Sequence, residues 1–188
     1  MYQIVWVDLE CTGVNTEKDL ILEVAMVFTD GNLNETASKN IVIHHDELPP
    51  MDPAVVEMHS KSNLLDEVQK SKTTLYGAQE MLMEFIEANL EKSAEKVPMG
   101  GNNIGFDRKF MDKYMTKVNR AFHFRSIDVS SFNEVAKRWY PEILKKLPSK
   151  NFAHRAMGDI RESINELKFY RREMFKNIPE KGKTLSLF

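Results

Sequence analysis

Residues 4–10, Ile-Val-Trp-Val-Asp-Leu-Glu, constrain the fold of this chain more than any other stretch. Ile4, Val5, Trp6 and Val7 read as a buried strand, and the run ends in two acids, Asp8 and Glu10, one residue apart. A buried carboxylate is costly unless something pairs with it. In a strand, residues i and i+2 share a face, so Asp8 and Glu10 project side by side at its carboxyl end. In open α/β sheets that end is where ligands bind. Two adjacent carboxylates repel, and a shared divalent cation is the usual remedy. Oxygen-only ligands suit Mg²⁺ or Mn²⁺ rather than zinc. Taken alone, the pair reads equally as strand-end acids facing solvent.

The order of elements along the chain sets the fold class. Residues 2–10, 20–29 and 40–45 read as strands, and the turn residues at 29–34 make the last two an antiparallel hairpin. Pro49, Pro50 and Pro53 make 46–53 a loop. Short helices are expected near 54–58 and 63–70, and Leu75, Ala78, Leu82, Phe85, Ile86 and Leu90 give helical spacing over 74–90. A short strand ending in a glycine turn is expected at 97–103, with helices at 106–116, 130–139 and 155–176. A strand meander followed by alternating helices and strands predicts an α/β fold with a mixed central β-sheet.

A chain of 188 residues is expected to form one domain, with a core over about 1–177 and a short C-terminal tail at 178–188. No run approaches the roughly 18–20 apolar residues of a membrane span, so no membrane partner is expected. The chain enters its first strand at once, so no signal or transit segment is expected, and its single cysteine, Cys11, allows no internal disulfide. Together these favour an intracellular compartment, cytoplasmic first, with nucleus or mitochondrion as alternatives. Charge is divided along the chain: residues 1–106 hold 7 Lys+Arg and 18 Asp+Glu, whereas 107–188 hold 19 and 10. An acidic half joined to a basic half fits metal binding beside phosphate binding, and also fits two solvated faces of one domain. A total charge of −2 argues against tracking along extended nucleic acid.

Two further segments bear on the first pair of acids. In GGNNIGFDRKF, at 100–110, a small-residue turn delivers Asp107 to a helix start. By itself Asp107 reads equally as a first-turn acid favoured by the helix dipole. In FAHRAMGDIRES, at 152–163, His154 precedes Asp159 by five residues. Five positions overshoot one turn of about 3.6 residues, so both reach one site only if His154 sits at or before the helix's first turn.

Asp8-x-Glu10 after an apolar strand, then Asn102-x-x-Gly105-x-Asp107-x-x-Phe110, then His154-x₄-Asp159, is the pattern of the histidine-type DEDD 3′→5′ exonucleases. The resemblance runs over nearly the whole chain. WVDLECTGV, DLILEVAMVFTDGNLN, GNNIGFDRKFMDKYM, FHFRSIDVSSFNEVAKRWYPEI and HRAMGDIRESINELKFYR are similar to the oligoribonuclease family.

That resemblance implies a ribonuclease H-like fold and hydrolysis of short RNA oligonucleotides from the 3′ end, with two divalent metal ions, Mg²⁺ or Mn²⁺. It implies that Asp8 bridges both metals, that Glu10 and Asp159 hold the one that activates water, and that Asp107 supports the other. His154 is then the general base, a role that suits a side chain whose unperturbed pKa lies near neutrality. Substrate contacts are implied for Thr12, Val14 and Asn102, and a cap on the 5′ phosphate for His59, Asn103, Arg125 and Ser130. A homodimer is implied as well. Several positions depart from the pattern. Val14 replaces a leucine that wedges against a base, Ala54 a tryptophan, Asn103 a serine, Phe124 a tyrosine, and Gly158 an acid. All lie where substrate length or base contact is set, which predicts retained hydrolysis with altered length preference. A DEDD exonuclease acting on longer RNA or DNA 3′ ends, and a non-catalytic oligonucleotide-binding module, are the alternatives the sequence leaves open.

Overall fold

The computed structural model describes residues 2–91, 96–149 and 154–175. The expected tail at 178–188 lies outside the described residues. β1 (Ile4–Cys11), β2 (Ile21–Thr29) and β3 (Glu35–Val42) form an antiparallel meander. β4 (Met99–Gly101) joins the other edge of β1 in parallel, and β5 (Ser126–Asp128) joins β4 in parallel. The order β3-β2-β1-β4-β5 makes this a mixed sheet with β1 at its centre.

Strand parity divides the core into two layers. Val5, Val7 and Leu9 of β1, with Val24, Met26 and Phe28 of β2, bury one face. Against them pack α3 (Leu75–Asn89), α4 (Gly105–Tyr114) and α5 (Thr116–Ala121), through residues such as Leu82, Phe110 and Val118. Trp6, Ala25 and Val27 bury the opposite face against α6 (Val129–Trp139) and α8 (Ala156–Met174), through Val129, Ala136, Ile160 and Ile164. Asp8 and Glu10 have the parity of Trp6. They therefore stand on the face that α8 covers, beyond the apolar part of the strand. α1 (Pro53–Lys61) and α2 (Leu64–Lys70) close the end of the sheet, and α7 (Pro141–Leu144) extends α6.

Local chemistry accounts for the boundaries. Asp52 accepts the Ala54 N–H and Pro53 occupies the first turn of α1, so that helix is longer than the 54–58 expected. Thr74 caps α3 by accepting the Gly77 N–H, and Asp128 caps α6 by accepting the Ser130 N–H. Gly101 permits a close approach within the sheet: a Cβ there would lie 2.7 Å from Ile104 Cδ1 and 3.1 Å from the Val7 carbonyl oxygen.

The third strand runs over Glu35–Val42 rather than 40–45. It is an edge strand, and most of its first six side chains face water, so its apolar signal begins only at Ile41. The Ile43 N–H still donates to the Leu22 carbonyl of β2 at 2.8 Å, and beyond it the His44 N–H turns to the Thr73 carbonyl at 2.7 Å. α5, β5 and α7 are three to six residues long, too short to give a period in the sequence.

Candidate active site

Ligand-type atoms of Asp8, Glu10 and Asp159 lie within 4.8 Å of one another. Two of them come from the end of β1 and the third from the first turn of α8. Asp107 approaches from α4 on the other layer, where its Oδ1 accepts the Leu9 N–H at 3.0 Å. A register shift between Glu10 and Cys11 ends the regular β1–β2 pairing at the site. Such bulges often re-aim side chains beside functional groups.

The carboxylates destabilise one another's charge. Burial, then the neighbouring Asp159 and Glu23, push Glu10 up to about 8. Burial raises Asp107 to about 7, against the hydrogen bonds it accepts from its own and the Leu9 N–H. Asp8 is raised well above the usual carboxylate range by burial and by Asp107, Glu10 and Asp159. Carboxylates so placed fit a divalent cation, which would supply the missing positive charge and accept only oxygen ligands here.

His154 stands two residues before α8, in the position the five-residue spacing requires. Its backbone is left-handed, φ 48°. It is partly exposed.

The expected substrate residues divide by exposure. Val14 is 83% exposed at the tip of the loop after β1. That loop is held from within: Asp19 accepts the Thr12 hydroxyl at 3.2 Å and the Asn15 N–H at 2.8 Å. A Cβ on Gly13 would lie 2.5 Å from the same carboxylate. The Thr12 hydroxyl also accepts the Leu20 N–H, so its polar atoms face the protein. His59 is 0% exposed. Its Nε2 donates to the Cys11 carbonyl at 2.9 Å, and burial keeps the ring neutral. Nδ1 is then left with no hydrogen-bond partner, 3.8 Å from Glu10 Oε2. Thr12 and His59 thus lie behind the surface and support it.

Asn103 and Arg125 are exposed. The Asn103 and Ser130 N–H groups both donate to Asp128 Oδ1, as does the Ser130 hydroxyl. Arg125 lies over the ring of the exposed Phe124, 5.5 Å from its centroid. Asn102 and Ser130 line a cavity of about 510 Å³ with Asn133, Lys137 and Leu147. Asn102 donates to Glu166 of α8 at 3.3 Å, tying the turn before α4 to the helix that carries Asp159. A Cβ at Gly158 would meet nothing within 4 Å, so packing does not require glycine there.

Sequence reasoning missed Glu23. It stands opposite Glu10 across β1–β2 and is fully buried. Arg155 binds it through Nε and Nη2, the latter at 2.8 Å, and reaches Glu67 on α2 as well. A charged residue inside the apolar run 20–29 was the available signal.

Residues 5–167 match the family model described as Exonuclease, of RNase T type. An oligoribonuclease of Mycobacterium sp. (strain KMS) is 43% identical over 176 residues, covering 92% of this chain and 81% of the relative. Those of Corynebacterium glutamicum (strain R) and Rhodococcus jostii (strain RHA1) are each 42% identical, covering 97% and 98% of this chain and 83% and 92% of theirs. Among solved structures, exonuclease I superposes with a TM-score of 0.72 at 17% identity, over 92% of this chain and 41% of that one. The zinc-bound E. coli exonuclease I–ssDNA complex gives 0.73 at 16% identity, over 93% and 41%. The chain thus spans about two fifths of those structures' length, and the likeness shows the shared ribonuclease H-like fold.

Proposed function

The chain belongs to the oligoribonuclease family of 3′→5′ exoribonucleases, and from that premise we propose that it releases nucleoside 5′-monophosphates from the 3′ ends of short RNA oligonucleotides. The observation that carries the reading is the meeting of Asp8, Glu10 and Asp159 within 4.8 Å, with Asp107 behind them and His154 held just ahead of α8.

Asp8, Glu10 and Asp159 would hold the cations, with Asp107 supporting the second. Two divalent ions, Mg²⁺ or Mn²⁺, would neutralise the developing phosphate charge and activate the nucleophile when bound. His154 takes the proton of the attacking water, because imidazole is the side chain suited to exchanging a proton near neutrality. The preceding nucleotide's 3′ oxygen leaves, and its charge develops beside the acidic set. Val14 meets a base with its exposed side chain. Arg125, with Asn103 and Ser130 around Asp128, receives the 5′ phosphate, where a guanidinium binds two oxygens at once. Thr12 and His59 hold the loop and Glu10 from behind, and Asn102 anchors the cap to α8.

The departures at Val14, Ala54, Asn103 and Phe124 support a pocket looser at the base end. Longer RNA oligomers are then accepted alongside the shortest, which alters the length preference. The whole chain acts as one domain, in the cytoplasm, as a homodimer. The apolar groove of about 430 Å³ between Trp139, Tyr140 and Phe175 supports the last point. Among the described residues no helix is long and apolar enough to cross a membrane.

The test is a time course on 5′-labelled RNAs of two to about twenty nucleotides, with Mg²⁺, Mn²⁺ or EDTA, beside Asp8→Ala and His154→Ala. Metal-dependent release of monophosphates that both substitutions abolish is expected, with measurable turnover beyond the dinucleotide. Tight binding without turnover at any length would replace the enzyme by a binding module.

A further inference from the structure

Glu10 and Glu23 face each other across β1–β2, nearly buried, on the face that α8 covers. Like charges directly opposite in a sheet repel. Glu23 is nevertheless fully satisfied. It accepts from Arg155 Nε at 3.2 Å and Nη2 at 2.8 Å, from Asn40 Nδ2 at 2.8 Å, and from the Ala156 N–H at 3.1 Å. The same guanidinium bonds Glu67 with both terminal nitrogens, at 2.9 and 2.7 Å, and the Ser62 carbonyl at 3.3 Å. One side chain thus joins β2, the start of α2 and the start of α8.

α8 has no capping side chain of its own. Glu23 provides the cap from another strand, fixing Ala156 in space. Immediately before this anchor sits His154, left-handed although it carries a Cβ. Such a conformation persists where the surroundings over-determine it. On its C-terminal side the surroundings are Arg155 and Ala156, both bound to Glu23.

We infer that Arg155, held by Glu23 and Glu67, is the positioning residue of His154. It touches no substrate. It fixes the backbone from which the imidazole projects, so that the ring meets the attacking water instead of sampling the loop. The inference rests on the reading of His154 as general base.

The test pairs Arg155→Met with Glu23→Gln, which removes the buried acid's charge together with its partner. Glu67→Gln strikes only the outer arm and serves where the double variant does not fold. For the double variant, kcat on a dinucleotide at saturating Mn²⁺ should fall about 10- to 100-fold, with KM within about threefold. Placed in the His154→Ala background, the double substitution should cost no more than about a further twofold of the residual turnover, because the anchor acts through that ring. In the protein stripped with EDTA, amides 154–158 should exchange about tenfold faster while those of β1 keep their rates. Glu67→Gln should move every readout in the same direction by less. A loss that multiplies with His154→Ala, or unchanged exchange at 154–158, overturns the inference and leaves His154 as base. Full activity in His154→Ala alone overturns the general-base reading and this inference with it.

Discussion

Binding of a divalent cation should expel protons, and their number is set by the site. In metal-stripped protein Glu10 is raised to about 8 and Asp107 to about 7, both chiefly by burial. At pH 7 a group of pKa about 8 is about 0.9 protonated and one of about 7 is half protonated. Asp8 is raised as well, by burial and by its acidic neighbours. The set therefore holds more than one proton at neutrality, and a cation must displace them to gain carboxylate ligands. Calorimetric titration with Mn²⁺ at pH 7, in buffers of contrasting ionisation enthalpy, reads the number directly. We expect about one to two protons released per chain, fewer as pH rises past 8, and roughly one fewer in Glu10→Gln. A binding enthalpy independent of buffer would refute the reasoning, because it would mean the carboxylates are already ionised.

The same geometry has other measurable consequences. A folded-state pKa above the unfolded one stabilises at low pH and is lost as pH rises through the folded value. Stripped protein should therefore melt progressively lower between about pH 4.5 and 8, by the equivalent of a few kcal/mol from Glu10, and Mn²⁺ should flatten that slope; melting that rises over this window would contradict it. Gly101→Ala should cost about 1–3 kcal/mol in denaturant unfolding and lower kcat, since the added Cβ must displace Ile104 three residues before Asp107; unchanged stability would mean the turn relaxes freely. Val14→Leu should raise the kcat/KM ratio of dinucleotide over a ten-nucleotide RNA about three- to tenfold, read by competitive digestion, and an unchanged ratio would remove Val14 from the specificity argument.

How far the sequence shows this site depends on the range of each interaction. Asp8 and Glu10 are legible because strand parity is local, and the surrounding apolar run places them beyond a buried segment. The His154–Asp159 spacing is legible in the same way: it asks for His154 at or before the helix's first turn, and α8 begins at Ala156. Glu23 is not legible beyond being an oddity in an apolar strand, because its partner Arg155 is 132 positions away. Thr12 and His59 illustrate a second limit. Residue type and order place them near the site, but only packing decides that one hydroxyl turns to Asp19 and that one ring lies behind Glu10. The edge strand β3 is obscured for a third reason. Its exposed, alternating side chains leave no apolar run over 35–40, so the pattern shows itself only near the strand's end.

The distribution of the acids along the chain bears on how the protein is made. Asp8 and Glu10 leave the ribosome first, within a meander whose pairings are local. Asp159 and the arginine that neutralises Glu23 emerge about 150 residues later, about 7 to 30 seconds at ordinary rates of translation. Until then the growing chain has half an acidic cluster and a strand carboxylate without its cation. A chain that ends before α8 lacks Asp159, the arginine bound to Glu23 and the apolar stripe that covers Trp6, Ala25 and Val27.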